Sequence, residues 1–359
     1  AAAAAKKAAV VGGGPAGLAA AYFLARAGLA VTLFEKEKAL GGVVRRVIPE
    51  FRIASEAIDR DVELVSAMGV RMVTGQEITD VAALREAYDA VVLAVGAYEK
   101  GSLRLEAGVA VNALDFLAEF KATDGHADLG EQVVVIGGGN TAMDTARAAK
   151  RNAGVKKVSL VYRRTRRYMP ADEEELLMAL EDGVEFAELL APISLSEGRL
   201  LCRRMALGAA DAGGRRGVVE TEETVELPAD TVIAAVGERT PGGFYRKQGI
   251  AVDEKGRPLV NEETLESSIN GVYIAGDGLY GPATVVEGIR DGLKAAQAIA
   301  GRVLTADAPA AGDEAVIYER KGRLAEEDFS ETDSSRCLGC SSICENCAEV
   351  CPNRANVSI

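Results

Sequence analysis

The stretch KKAAVVGGGPAGLAAAYFLARAGLAVTLFE, residues 6–35, decides the fold. An apolar run ending at Val10 and Val11 reads as a buried strand, and Gly12-x-Gly14-x-x-Gly17 turns it into a helix predicted over Pro15 to Ala27. Leu18, Tyr22 and Ala25 recur at helical spacing, and Gly28 stops the helix. AVTLFE then supplies a second strand. Its last residue, Glu35, stands about 20 residues past the glycines, where an acid accepts both ribose hydroxyls of a dinucleotide. The first glycine turns the chain, the second lets a pyrophosphate approach the backbone, and the third lets helix and strand pack closely. The helix start at Pro15, Ala16 and Gly17 provides the anion site.

The same grammar returns at EQVVVIGGGNTAMDTARAAKRNAGVKKVSLVYRR, residues 131–164. Val133 to Ile136 form a strand, Gly137-x-Gly139-x-x-Ala142 forms the turn with Asn140 and Thr141 opening the helix, and VSLVY is the following strand. Here the acid is absent. Arg163 and Arg164 occupy its place, and a guanidinium pair favours the 2'-phosphate of NADP(H) by charge and bidentate hydrogen bonding. Arg167 belongs to the same basic cluster. An acidic ribose position in the first unit and a basic one in the second point to FAD and NADPH respectively.

The first unit is completed far along the chain. DAVVLAVGAY, residues 89–98, is a buried strand ending in glycine, and GVYIAGDGLYGPATVVEGIRDGLKAAQAIAG, residues 271–301, is a strand, a Gly-Asp step and a long helix. The second unit lies between them and is therefore inserted into the first. Candidate FAD contacts beyond the glycine loop are Lys36, Gly42, Arg45, Ala94 and Gly96. Gly276, Asp277, Thr284 and Val285 extend that set: Asp277 is placed for a ribityl hydroxyl, and the helix from Thr284 aims N–H groups at charge developing on a reduced flavin. LAVGAY (93–98) and AAVGERTP (234–241) read as two interdomain crossings, with Gly96 and Gly237 admitting a close backbone approach. A further helix is predicted after Pro170, with Leu176, Leu177 and Leu180 inward and its acids solvated.

The expected architecture is α/β, with two Rossmann-like domains and a C-terminal cysteine-rich, ferredoxin-like segment. FAD would occupy 1–125 and 241–301, NADPH would occupy 126–240, a linker would run over 302–333, and an iron–sulfur segment over 334–359.

Across about residues 8–301 the ordered motifs GGGPAGL, GGVVRRVIPEFRI, LAVGAY, VIGGGNTAMD, VYRRTRRYMPA, AVGERTP and IAGDGLYGPATVVEGIRDG resemble the small-subunit type of NADPH-dependent glutamate synthase. The tail ending CPNRANVSI resembles the large iron–sulfur flavoproteins named as selenate reductases, of which this chain would be the C-terminal part. The resemblance implies FAD, NADPH and iron–sulfur clusters, with hydride passing from nicotinamide to flavin. It also implies either an upstream iron–sulfur domain or other redox subunits as partners. Where the family usually has GG-x-x-R-Y-G-I-P, this chain reads Gly41 to Pro49, keeping Arg45 but placing Val47 at a glycine position.

RCLGCSSICENCAEVCPNR, residues 336–354, holds five of the 6 cysteines. Disulfides suit small secreted domains, and five thiols leave one odd. Zinc would accept four thiolates at this spacing. Cys-x2-Cys-x3-Cys-Pro reproduces the end of the bacterial ferredoxin run, and thiolates suit iron, which favours one [4Fe-4S] cluster. Its ligands would be Cys340, Cys344 and Cys347 with either Cys337 or Cys351. Cys202 stands apart as a buried strand residue.

A net charge of -13 argues against nucleic acid and anionic membrane surfaces. No apolar stretch approaches the ~20 residues of a spanning helix, so no membrane insertion is expected and the cytoplasm is the default compartment. The single histidine, His126, lies in a polar loop and is assigned no chemistry. No Cys-x-x-Cys pair lies between Glu131 and Thr240, which excludes a dithiol enzyme of the thioredoxin reductase kind. The function read from these features is hydride transfer from NADPH to FAD N5, then single-electron transfer through the cluster to a partner. A non-catalytic assembly module carrying the same nucleotides and cluster, or a zinc-bearing flavin reductase, is the alternative.

Overall fold

The computed structural model describes residues 5–210 and 216–304. The five tail cysteines, the linker beyond Leu304 and the cluster they would hold lie outside the described residues. The described residues form two compact units: one carries residues 5–45, Glu50–Glu99 and 239–304, the other Arg46–Pro49, 100–210 and 216–238.

In the first unit a five-stranded sheet runs in the spatial order Val272–Ile274, Ala90–Leu93, Lys7–Val11, Ala30–Glu35, Arg71–Thr74. Every neighbouring pair is parallel. The strands are short, apolar and nearly continuous in their hydrophobicity because both faces are covered. On one face the helix Pro15–Arg26 buries Leu18, Tyr22, Phe23 and Leu24 with Leu33, Val65, Val92 and Ala296. On the other, Leu93, Tyr245, Leu265, Ile274 and Leu279 form a second core. The order of connection reverses at Lys7–Val11, whose neighbours are Ala30–Glu35 and Ala90–Leu93. In open α/β sheets ligands bind beyond the carboxyl ends of strands at such a reversal.

The second unit repeats the plan. Its parallel sheet runs Val111–Asn112, Thr231–Ala234, Gln132–Ile136, Lys157–Tyr162, Glu185–Glu188, with the reversal at Gln132–Ile136. An antiparallel meander follows, Leu190–Ser196, Arg199–Ala210 and Arg216–Pro228, which the sequence pattern did not announce. Cys202 sits in its middle strand, fully buried, its thiol pushed up by burial to about 11.

The unit that holds the second glycine loop begins at Lys100, ahead of the 126 read from the sequence. The reason is packing: Ala113, Phe116 and Leu117 of the helix Ala113–Ala122 are buried with Val133, Val135 and Met143. The short segment Arg46–Pro49 is likewise counted there. Val47 is buried in that same core, and Lys121 Nζ donates to the Ile48 carbonyl at 2.9 Å. A valine at this position thus has an apolar partner that a glycine would lack. Between Lys100 and Glu238, Gly101 N–H donates to the Gly237 carbonyl at 2.8 Å, so the outgoing and returning segments run side by side.

The helix Glu173–Glu181 corrects one expectation. Leu176 is buried, but Leu177 is 44% and Leu180 37% exposed, while Glu175 is fully buried. The buried stripe runs through Glu175, Leu176 and Ala179, so the inward face is rotated from the leucine-rich one. Among the described residues no helix is long and apolar enough to cross a membrane.

Candidate functional site

Gly12, with φ 105, leaves the first strand at the sheet reversal. A side chain there would lie 2.2 Å from the Ala94 carbonyl oxygen, so Ala94 and Gly12 are held in mutual close approach. Gly17 meets the Gly12 carbonyl oxygen even more tightly, at 1.8 Å from an added Cβ. This is the contact that lets the helix begin directly over the strand. Gly14 is the N-cap of Pro15–Arg26 and provides no side-chain cap, the first turn carries no acid, and Pro15 has no N–H to satisfy. The N–H groups of Ala16 and Gly17 therefore point out of the helix end, a donor set suited to a diphosphate.

Glu35 is 6% exposed at the end of the second strand. One carboxylate oxygen accepts from Gly13 N–H at 2.7 Å and the other from Glu37 N–H at 2.8 Å. An ionised carboxylate has about four acceptor sites, so two remain for ribose hydroxyls. The next residue, Lys36, is exposed and places Nζ 4.7 Å from the centre of the Tyr98 ring.

Gly41 N–H donates to the Gly13 carbonyl at 2.7 Å, which brings Gly42 beside Gly14. Arg45 is not aimed outward. Its Nε donates to the Leu40 carbonyl and its Nη2 pairs with Asp59 at 2.5 Å, so it holds this turn.

Beyond the other two strands lie Ala94 to Gly96 and Gly276 to Gly278. Gly276, with φ 72, N-caps the short helix Asp277–Tyr280. Asp277 Oδ1 accepts from Ala283 N–H at 3.2 Å. Thr284 caps Val285–Ala300, and its hydroxyl and N–H are both engaged with Glu287, leaving the N–H groups of Val285 and Val286 as that helix's open donors. Thr284, singled out with Val285 from the sequence, thus has its own N–H and hydroxyl taken up within the cap.

The second glycine loop has the same form. Gly139 N-caps Asn140–Arg151 without a side-chain cap or a first-turn acid, so Asn140 and Thr141 present open N–H groups. Gly137 approaches the Ala235 carbonyl, with 2.4 Å from an added Cβ, and Ala142 sits beneath it at 2.9 Å. The segment after the next strand is laced over this loop: Ala171 N–H donates to the Gly138 carbonyl at 3.0 Å, Asp172 N–H to Asn140 Oδ1 at 3.3 Å, and Tyr162 Oη to the Tyr168 carbonyl at 2.9 Å. That lacing sets the arginines beside the loop. Arg163 is exposed, Arg164 is half-buried with Nε donating to the Arg216 carbonyl at 3.3 Å, Arg166 pairs with Glu173 at 2.7 Å, and Arg167 lies against Tyr168.

The sequence profile of the pyridine nucleotide-disulphide oxidoreductases matches residues 6–292. The chain belongs to this family. Membership carries the class of an FAD-dependent NAD(P)H oxidoreductase. YgfK of Escherichia coli K12, whose name goes no further than oxidoreductase, is 41% identical over 366 residues, 96% of this chain and 35% of its own. The beta subunit of an NADPH-Fe(3+) oxidoreductase from Geobacter sulfurreducens is 36% identical over 330 residues, 79% of this chain and 48% of its own. The glutamate synthase [NADPH] small chain of Azospirillum brasilense is 35% identical over 311 residues, 79% of this chain and 64% of its own. The chain thus spans about a third of YgfK. Among solved structures, Mycobacterium tuberculosis FprA in complex with NADPH aligns with a TM-score of 0.69 at 20% identity, covering 98% of this chain and 90% of that one, which bears on the fold alone.

Several site-building residues of this family member were not singled out from its sequence. Leu40 packs against Gly13, and Tyr245 holds Gly278. Glu287 carried a readable signal, because Thr284-x-x-Glu287 is a capping-box pattern. His126 is exposed, its Nδ1 donating toward the Thr123 and Asp124 carbonyls, and takes no part in either loop. Among the described residues no cluster of His, Cys, Asp and Glu is suited to hold a metal.

Proposed function

We propose that this chain is the NADPH-oxidising flavoprotein portion of a larger redox protein or complex, which passes electrons from its flavin through a tail-bound [4Fe-4S] cluster to a partner. The observation that carries the proposal is the pairing of two uncapped helix starts at sheet reversals, one beside the buried acid Glu35 and one beside Arg163 and Arg164.

FAD would be held by Gly12, Gly14, Ala16 and Gly17 at its diphosphate, by Glu35 at its ribose, and by Ala94, Gly96, Asp277 and Val285 at its ribityl and ring end. When bound, FAD supplies the capacity to take a hydride as two electrons and give them up singly. The chain's part is to bind and orient. Backbone N–H groups of Ala16 and Gly17 would donate to the diphosphate, and Gly12 and Gly276 let Ala94 and Ala16 approach where an added Cβ would lie 2.2 and 2.7 Å from them. NADPH would lay its diphosphate on Asn140 and Thr141 and its 2'-phosphate against Arg163 and Arg164. Hydride transfer calls for no protein acid or base.

The cluster would be held by Cys340, Cys344 and Cys347 with Cys337 or Cys351. The relatives that are subunits of NADPH-linked redox enzymes support a partner as the destination of the electrons.

The test is anaerobic titration of the purified, FAD-loaded chain with NADPH and NADH, followed by flavin absorbance and by iron, sulfide and zinc analysis. Bleaching by NADPH in preference to NADH, with about four irons per chain, is the expected result. A flavin that stays oxidised would leave only a scaffold role, and zinc in place of iron would remove the single-electron exit.

A further inference from the structure

Three helices begin at the carboxyl edges of these sheets, and one differs from the other two. Pro15–Arg26 and Asn140–Arg151 start on glycines with no side-chain cap and no acid in the first turn. Val285–Ala300 starts on Thr284 and closes a full capping box with Glu287. Glu287 Oε2 accepts from Thr284 N–H and from its hydroxyl, each at 2.9 Å, while Glu287 N–H donates back to Thr284 Oγ1 at 3.2 Å. The Thr284 backbone hydrogen bond, with its hydroxyl and Arg290 adding to it, holds the Glu287 carboxyl below the usual glutamate range, so a full negative charge sits at this helix end. Arg290 is itself engaged with Asp291 at 3.1 Å.

The position of that charge follows from packing within the first unit. A Cβ added at Gly292 would lie 2.3 Å from the Ala16 carbonyl oxygen, and one at Gly288 3.7 Å from Ala16 N. The long helix therefore crosses the start of Pro15–Arg26, and its own first turn projects beyond Ala16 on the rim of the same cradle. Asp277, bonded to Ala283 N–H, stands beside it.

We propose that Glu287 is a built-in counter-charge that lowers the reduction potential of the flavin held in this cradle. A bare helix end carries roughly half a positive charge and would favour the electron-rich form of a nearby ring system. Glu287 places a whole negative charge within that same turn, so the helix end does not stabilise the reduced form as the other two helix starts would an anion. The flavin is thereby poised as an electron donor. This inference rests on the FAD reading above and refines it.

Glu287→Gln tests it, because glutamine keeps the capping box and removes the charge. The readout is the midpoint potential of bound FAD against a reference dye, with thermal unfolding of the flavin-free chain measured in parallel. The expected result is a shift of about tenfold toward reduced flavin, which is ~30 mV for a two-electron couple, with a smaller loss of melting temperature than in Glu287→Ala because only the charge and not the cap is removed. Glu287→Ala should shift the potential the same way and also lower the melting temperature, because the cap is lost. Bound FAD with the wild-type potential in Glu287→Gln overturns this inference alone, as does a shift seen only in Glu287→Ala. Failure of the wild-type chain to take up FAD on reconstitution overturns the flavin reading and this inference together.

Discussion

The hydroxyl of Tyr245 donates to the carbonyl of Gly278 at 2.9 Å, with the tyrosine wholly out of solvent. Burial, with Tyr98 adding to it, drives the phenol pKa far upward, so the group remains a donor at any working pH. Gly278 has no room for a side chain: an added Cβ would lie 2.6 Å from that hydroxyl and 3.4 Å from Gly96 N. One side chain thus fixes the spacing of the two backbone segments that carry Gly96 and Asp277.

Tyr245→Phe leaves the Gly278 carbonyl buried without its partner. Its cost is about 1–3 kcal/mol of stability. The Asp277 loop should loosen with it, so flavin should dissociate faster on dilution. Thermal unfolding of the flavin-free chain and the rate of FAD loss, measured on the same preparation, check both effects. A variant that melts early but keeps flavin at the wild-type rate would separate packing from positioning.

The two nucleotide folds were legible because a tight strand-to-helix turn admits few residue types. The requirement falls on Gly12, Gly17 and Gly137, whose neighbours are backbone carbonyls that cannot move aside. What the sequence does not display is which side chains are consumed by the fold. Arg45 matches a family position yet is engaged with Leu40 and Asp59, and Thr284 is engaged with Glu287. Tyr245 was illegible for a different reason. It is far in sequence from its partner, and a buried tyrosine carries no local pattern. The meander was hidden because the strand Arg216–Pro228 is largely exposed and alternates apolar with polar only over its last residues, at Val225 and Leu227, too short a run to mark it.

Glycine substitutions should sort by what the added methyl meets. At Gly17 it would fall 1.8 Å from the Gly12 carbonyl oxygen, a contact that neither backbone can relieve. Gly17→Ala should therefore lose FAD retention and unfold early. At Gly96 nothing lies within 4 Å, and only the φ of 75 is unfavourable. Gly96→Ala should cost about 1–2 kcal/mol and still fold. Its effect on FAD binding then reports how closely the cofactor approaches that backbone. Equal losses in both variants would contradict this ordering.

The proposed function puts nucleotide selectivity on Arg163 and Arg164 and makes it separable from Arg166. Arg163 is exposed and has no ion-pair partner among the described residues, whereas Arg166 is paired with Glu173. Loss of one charge-assisted hydrogen bond costs about 1.5–3 kcal/mol. Arg163→Ala should therefore weaken NADPH about 10- to 100-fold and leave NADH nearly unchanged. Arg166→Ala should leave the ratio of the two nucleotides as it is. Binding titrations at fixed ionic strength make the comparison, and a parallel loss for NADH would move the role to the diphosphate.

Asp182 anchors the helix that follows the second glycine loop. Its carboxylate accepts from Arg147 Nε at 2.7 Å and from Arg151 Nη2 at 2.8 Å, tying Asn140–Arg151 to the end of Glu173–Glu181. Burial pushes its pKa up, but the Arg151 and Arg147 hydrogen bonds and charges outweigh it, and the carboxyl lies below the ordinary aspartate range. Because the folded value is lowered, the stabilisation is present above the unfolded aspartate value of about 3.9 and is lost as pH falls through the folded value. Asp182→Asn should lower stability by about 1.5–3 kcal/mol near neutral pH, since Arg147 and Arg151 each lose a charged acceptor. The gap between wild type and variant should close as the wild-type carboxylate protonates in acid. Urea unfolding of both proteins across that pH range measures it, and a gap that stays constant into acid would show that the hydrogen-bond geometry, and not the charge, holds the two helices together.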